Sequence, residues 1–206
     1  MKKLVLIAGV ALTAAGVFAQ GTIGFGNDGT TLVSTNNGSA SGIAVGGTSP
    51  RVVLYYSSAA TPPPINTANL ADLTGWSLAS PTTAVSVGVP VGGRFANATR
   101  TADNVSPGGQ VWLMVRGWTG GFADWGAALA AAGGNPNVLL GTTTVAWQQA
   151  TGNPTSTPAG TPVNMTLGAN GFNGLVLQPV GVVPEPSTFV LAGLGAASLL
   201  LFRRRK

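Results

Sequence analysis

Five carboxylates are all the acid this chain carries: Asp28, Asp72, Asp103, Asp124 and Glu185. It has no His and no Cys. The commonest general base is therefore missing, and so is the commonest transition-metal ligand. No disulfide or thiolate metal site can form. Carboxylate-only chemistry remains, such as glycoside hydrolysis with an acid on each side of a sugar bond. Asp103 and Asp124 are the only acids between Arg94 and Trp147. Each has a plainer use. "ADNVSPGG" reads as a polar turn, and "FADWG" puts Asp124 where a helix N-terminus favours a negative charge. We therefore expect no catalytic residue, no cofactor and no enzyme activity.

Two further sets of side chains have binding potential. The five Trp, at 76, 112, 118, 125 and 147, have rings broad enough to stack on sugars. Trp112 and Trp118 share strand parity with Met114 and Arg116, so all four project to one face. A cation at Arg116 argues that this face meets solvent, making Trp112, Trp118 and Arg116 a candidate ligand-binding set. The competing use is aromatic filling of the core, with Arg116 beside an Asp. "GNDG" (26–29) and Asp103-Asn104 offer oxygens to Ca²⁺, but one carboxylate per site is thin for a hard cation. Turns use Asp and Asn for backbone reasons alone, and no metal is expected. "PVGGRF" (90–95) lacks the Lys and the strand–loop–helix setting of a phosphate loop.

The elements that must position these residues are mostly strands. "RVVLYYS" (51–57) and "QVWLMVRGW" (110–118) are dense in β-branched and aromatic residues. "TAVSVGV" (83–89), "NVLLGTTTVAW" (137–147), "PVNMTL" (162–167) and "NGLVLQP" (173–179) look similar, and "GTIGFGN" (21–27) is a candidate first strand. Turn clusters such as "NNGSASG", "SPGG" and "GGNPN" separate them. The spacing predicts an all-β domain over 20–180, a β-sandwich or jelly roll, with a β-helix as the alternative. No fixed repeat supports the β-helix. One segment differs. In "FADWGAALAAAGG" (122–134), Phe122, Trp125 and Leu129 share a helical face, and Gly133 would stop the helix. A short helix closing one end of the sandwich is expected.

The net charge is confined to the ends. Only 7% of residues are charged, and the net charge is +5. Lys2 and Lys3 open the sequence; Arg203, Arg204, Arg205 and Lys206 end it. Between them Arg51, Arg94, Arg100 and Arg116 balance the four aspartates. The basic excess is thus no nucleic-acid footprint. Residues 1–19 have a positive start, an apolar stretch from Leu4 to Phe18 and small residues before a cut after Ala19. That is a secretory signal peptide, read by signal peptidase and the general secretion machinery. Ser187 to Phe202 is 16 residues without a charge. As a helix it reaches about 24 Å, a short span of the inner membrane. The basic end, residues 203–206, stops transfer and stays cytoplasmic. Pro184 and Pro186 keep "VVPEPS" extended just outside the membrane.

"VPEPST", a Gly/Ala/Leu-rich span and "RRRK", in that order over 181–206, resemble the PEP-CTERM sorting signal of Gram-negative bacteria. The resemblance implies processing by exosortase, a membrane-embedded transpeptidase-like enzyme. Pro184, Glu185 and Pro186 are then its recognition residues, and they belong to a substrate. It also implies an inner-membrane-anchored intermediate, followed by delivery to the cell surface or an extracellular polymer such as a biofilm matrix. Unrelated ectodomains carry this signal. The expected function is therefore that of an exported surface or exopolysaccharide-matrix protein, structural in character. A polysaccharide-binding module using exposed Trp is the alternative.

Overall fold

β-Branched and aromatic residues crowd into two runs of the sequence, and both runs become the long strands at the centre of the fold. The computed structural model describes residues 20–35, 50–88, 91–154, 156, 160–166 and 171–180. In chain order the strands are β1 (Gly21–Phe25), β2 (Val33–Thr35), β3 (Arg51–Ser57), β4 (Ser77–Leu78), β5 (Val85–Ser86) and β6 (Ala98–Ala102). Then come β7 (Gln110–Trp118), helix α1 (Trp125–Ala132), β8 (Leu139–Thr142), β9 (Trp147–Ala150), β10 (Val163–Asn164) and β11 (Leu175–Pro179). The signal peptide and the membrane span read from the sequence lie outside the described residues.

The strands form two mixed sheets. The larger runs β2-β11-β8-β7-β3-β4, with β5 also on β3 and β9 also on β7. The smaller runs β10-β1-β6. Two pairings are parallel, β1 with β10 and β2 with β11. The expectation of a mostly β domain with one short helix holds, while the parallel pairs depart from an antiparallel jelly roll. β3 and β7 are antiparallel over their whole paired length, from Arg51 opposite Trp118 to Ser57 opposite Trp112.

Strand alternation sorts their side chains into two cores. Val52, Leu54 and Tyr56 of β3 and Val111, Leu113 and Val115 of β7 point one way. They meet Ile23 and Phe25 of β1 and Ala102 of β6, so both sheets share this core. A chain of rings fills it: Phe25 lies 4.8 Å from Phe95, Phe95 6.2 Å from Phe172, and Phe172 6.0 Å from Trp147. Val53 and Tyr55, with Met114 and Trp118, point the other way into a second buried cluster. Burying one such side chain is worth roughly 1.5–3 kcal/mol, so that second layer is a core and not a surface.

Helix α1 and the 65–76 segment supply its cover. α1 buries Trp125, Ala128 and Ala132, while Phe122 and Leu129 pack at the margin of the same cluster. Asp124 caps its first turn by accepting from Ala127 N at 2.9 Å, and Gly133 follows its last turn. The helix therefore lies on the outer face of the large sheet, and the expectation that it closes an end is corrected. The reason is Trp118, whose ring meets Trp125 edge-on at 6.3 Å and fixes α1 over the sheet.

Candidate functional site

Arg116 sits at the centre of the face on which the sequence placed a ligand site. Trp112, Met114, Arg116 and Trp118 do share that face. The solvent expected there is absent: Arg116, Met114 and Trp118 are each 0% exposed. Arg116 Nη1 donates to the Leu70 carbonyl at 2.6 Å and Nη2 to the Asp72 carbonyl at 2.9 Å. Its guanidinium lies 4.8 Å from the Trp125 ring centroid and 5.7 Å from that of Tyr55. Burial pushes its pKa down; the Tyr55 hydroxyl and Asp72 act the other way. Burial likewise raises Tyr55. Arg116 tolerates this place because two carbonyls and two ring faces replace part of its hydration.

Three Trp work alongside it as wedges. The indole N–H of Trp118 donates to Phe122 O at 3.0 Å, that of Trp125 to Leu70 O at 3.3 Å, and that of Trp76 to Pro64 O at 3.3 Å. The first ties the 119–124 loop to β7, the second ties the 65–76 segment to α1, and the third closes the 64–76 loop on itself. The ring faces of Trp118 and Arg116's guanidinium are thus occupied from within. Sequence parity correctly placed these residues together; it carried no signal for the segment that covers them.

Trp112 differs from the other four. It is partly exposed; its Nε1, like that of Trp147, is buried without a partner. On β9 the exposed Gln148 stands directly opposite it, and Ser57 stands opposite on β3. Trp112, Gln148, Thr143, Thr144, Val145 and Asn173 line an open cleft of about 610 Å³. A second cleft of about 780 Å³ continues from Thr143 and Thr144 past Val176 and Gln178 to the 67–71 loop. An aromatic edge flanked by amides and hydroxyls suits a hydroxylated ligand. Trp112 is therefore what remains of the aromatic site expected from sequence.

The four aspartates are committed to local structure. Asp103 accepts from Ser80 Oγ at 2.7 Å and Thr101 Oγ1 at 3.3 Å. Its carbonyl takes the Tyr56 hydroxyl at 2.6 Å. Tyr56 faces the inter-sheet core, whereas its neighbour Tyr55 belongs to the cluster that Asp124 adjoins. Asp103 and Asp124 thus lie on opposite sides of the large sheet, and no sugar bond can fit between them. Asp72 Oδ1 accepts from Thr74 N at 3.0 Å. Asp28 Oδ1 accepts from the N–H and hydroxyl groups of both Thr30 and Thr31 at 2.7–3.0 Å, and the Asp28 N–H donates to Thr31 Oγ1 at 3.2 Å. A cation at Asp28 would therefore meet hydrogen-bond donors. Among the described residues no cluster of three or more metal-capable side chains occurs.

The buried residue that sequence reading missed is Asn27. Its amide donates to Thr31 O at 2.7 Å and Gly93 O at 2.9 Å, and accepts from Phe95 N at 2.8 Å. It ties the turn after β1 to the 91–95 loop, which is the structural meaning of "GNDG". Beside it, the Thr30 and Thr31 donors hold the Asp28 carboxyl at about 2. The main-chain N–H of Thr74 leads the causes that lower Asp72. Both pKa values are depressed on folding. Their stabilisation is therefore complete above the unfolded carboxyl value of about 3.9, and Asp28's is lost as pH falls through about 2. Asp28→Asn should flatten the acid limb of a plot of urea midpoint against pH. An unchanged acid limb would place the linkage elsewhere.

Pro184, Glu185, Pro186 and the basic residues 203–206 lie outside the described residues. Among the described residues no helix is long and apolar enough to cross a membrane. Residues 182–206 match the family model of the PEP-CTERM protein-sorting motif. No curated protein and no solved structure matches the chain. The chain thus carries a PEP-CTERM motif at its C-terminus, and that motif marks an exported, surface-sorted substrate of exosortase.

Proposed function

We propose that this chain is a structural, non-enzymatic component of the cell surface or exopolysaccharide matrix. On this reading a signal peptide (1–19) exports it, a span (187–202) with basic tail (203–206) holds it in the inner membrane, and exosortase recognises Pro184–Pro186 and processes the chain. The single observation behind the reading is the motif over 182–206. The described domain supports a passive role, because its four arginines each donate to main-chain carbonyls and its four aspartates serve turns, a cap and hydroxyls. A formally neutral domain also suits packing among polysaccharide rather than binding polyanions.

Mass spectrometry of surface material should find a chain that lacks residues 187–206. Substituting both Pro184→Ala and Glu185→Ala should leave the chain uncut and membrane-bound. Surface material with an intact tail would count against the reading.

A second reading, polysaccharide binding, is favoured by Trp112. It alone of the five Trp is partly exposed, and it sits in a cleft with Gln148 and Asn173. A sugar's C–H face on the indole, with amides on the hydroxyls, is the expected contact. Trp112→Ala should abolish retention on the organism's polymer while the far-UV circular dichroism is kept. Equal retention of wild type and variant would leave the passive role alone.

A further inference from the structure

The described chain leaves the large sheet at one identifiable rim. The registers define it: Arg51 stands opposite Trp118, Trp118 opposite Leu140, and Leu140 opposite Gln178. β3 and β8 therefore begin there, and β7 and β11 end there. Val180 follows β11 at this rim. The two loops beside it are 119–124 and 133–138. Gly120, Gly121, Ala123, Gly134, Asn135, Pro136 and Asn137 are exposed there. Asp124 is the one charged residue of those two loops, and its carboxylate caps α1.

The tether below this rim is short. Pro184 is four residues beyond Val180, and Ser187 is seven. A polypeptide reaches at most about 3.3–3.6 Å per residue. Pro184 therefore lies within about 14 Å of the rim and Ser187 within about 25 Å. The opposite rim, where β7 begins at Gln110, is roughly 30 Å farther off at about 3.3 Å per residue. Headgroups occupy about 5–7 Å on each side of the hydrocarbon.

We propose that the rim made by loops 119–124 and 133–138 faces the lipid headgroups while the chain is anchored, held there by the short tether. This rests on the anchored-intermediate reading above. The chemistry fits a headgroup surface: the exposed Asn135 and Asn137 amides can pair with phosphate and ester oxygens, the glycines add no bulk, and the charges beside the loops are Asp124, which caps α1, and Arg51, whose Nη1 donates to Phe122 O at 3.2 Å. The inter-sheet core and the Trp112 cleft then stay clear of the bilayer. Whatever reads Pro184–Pro186 must work in the narrow space beneath this rim.

The absence of cysteine permits a direct test on the full-length chain. Gly134→Cys places a dye at the rim, where an added side chain meets nothing within 4 Å. Ser106→Cys places one at the far end, in the exposed turn before β7. Each labelled chain is reconstituted in vesicles of phosphatidylethanolamine and phosphatidylglycerol that carry headgroup acceptors. Energy transfer should be at least roughly twofold higher from residue 134, given the ~30 Å strand length between the two ends. A Gly/Ser spacer of about 12 residues after Gly181 should erase most of that difference. Equal or reversed transfer at native tether length would overturn the proposal, and so would a difference that the spacer leaves intact. Failure of the chain to sediment with the vesicles would instead overturn the anchoring reading beneath it. Dyes at positions 134 and 106 both lie on exposed turns, so near-ultraviolet circular dichroism should match the wild type in each case.

Discussion

Replacing Arg116 with alanine should destabilise the domain by about 3–5 kcal/mol, the range for emptying a large buried site and orphaning a polar partner. Three losses combine. A cavity opens between the Tyr55 and Trp125 rings, where the guanidinium now lies. The Asp72 carbonyl loses the Nη2 donor. The 65–76 segment loses its main polar attachment to the sheet. The Leu70 carbonyl is less affected, because Trp125 Nε1 also donates to it. Arg116→Met separates these effects. It keeps most of the volume and removes a buried cation whose Nε has no partner. We expect it to recover to within about 1–2 kcal/mol of wild type, since apolar replacement of buried charge is often well tolerated. Urea unfolding of the exported protein reads both. An Arg116→Ala chain within about 1 kcal/mol of wild type would show that the outer cluster does not depend on this staple.

The same residue shows where sequence reading reaches its limit. Strand parity put Trp112, Met114, Arg116 and Trp118 on one face, and they are there. What lies over that face is tertiary: a helix about ten residues downstream in sequence and a loop some 45 residues upstream. Nothing local in "QVWLMVRGW" encodes either. An arginine in a strand is ordinarily a mark of solvent, and here carbonyls and rings replace the water. Trp112, nearer the start of β7, escapes the cover because α1 and the 70–73 turn sit over the Trp118 end.

Legibility of the strands follows the same logic. β3 and β7 were readable to their ends because their apolar density exceeds any turn signal within them. β6, "ATRTA", has no such density. It becomes a strand only by pairing residue for residue with β1, from Gly21–Ala102 to Phe25–Ala98. The run 137–147 reads as one strand and forms two. Three steps along β7, from Arg116 to Leu113, are matched by five on the partner, from Thr142 to Trp147. Thr143 makes the interruption possible: its hydroxyl accepts from Val115 N at 3.2 Å, and its own N–H donates to Val115 O at 3.0 Å. The two extra residues preserve parity, so Trp147 still faces the inter-sheet core. "TAVSVGV" shortens to Val85–Ser86 because only those residues pair with β3, and Val87 adds a single bridge to Phe95. The sorting motif was readable for a different reason. Its match over 182–206 is carried by residue types at adjacent positions, so its information is local.

Gly141→Ala should cost about as much as loss of Arg116, roughly 3–5 kcal/mol, because the added methyl meets main chain and cannot be relieved by a rotamer change. Gly141 lies in β8 opposite Gly117 of β7. A Cβ there would run into the Val176 carbonyl oxygen, with Leu177 Cδ2 at 2.9 Å. Either β8 or β11 must move, and β11 is held to β8 only through Leu140–Gln178 and Leu139–Pro179. Hydrogen exchange should therefore show amides of 175–178 losing protection first, while β3 and β7 keep theirs. Uniform loss across the domain would mean that β11 belongs to the same cooperative unit as the central pair. Local release has a consequence at the membrane. β11 is already extended and ends at the rim, so freeing it moves the chain's point of attachment from Pro179 back to Gly174 and loosens the orientation of the rim without lengthening the reach below it. Gly141→Ala should therefore narrow the difference in energy transfer between dyes at residues 134 and 106.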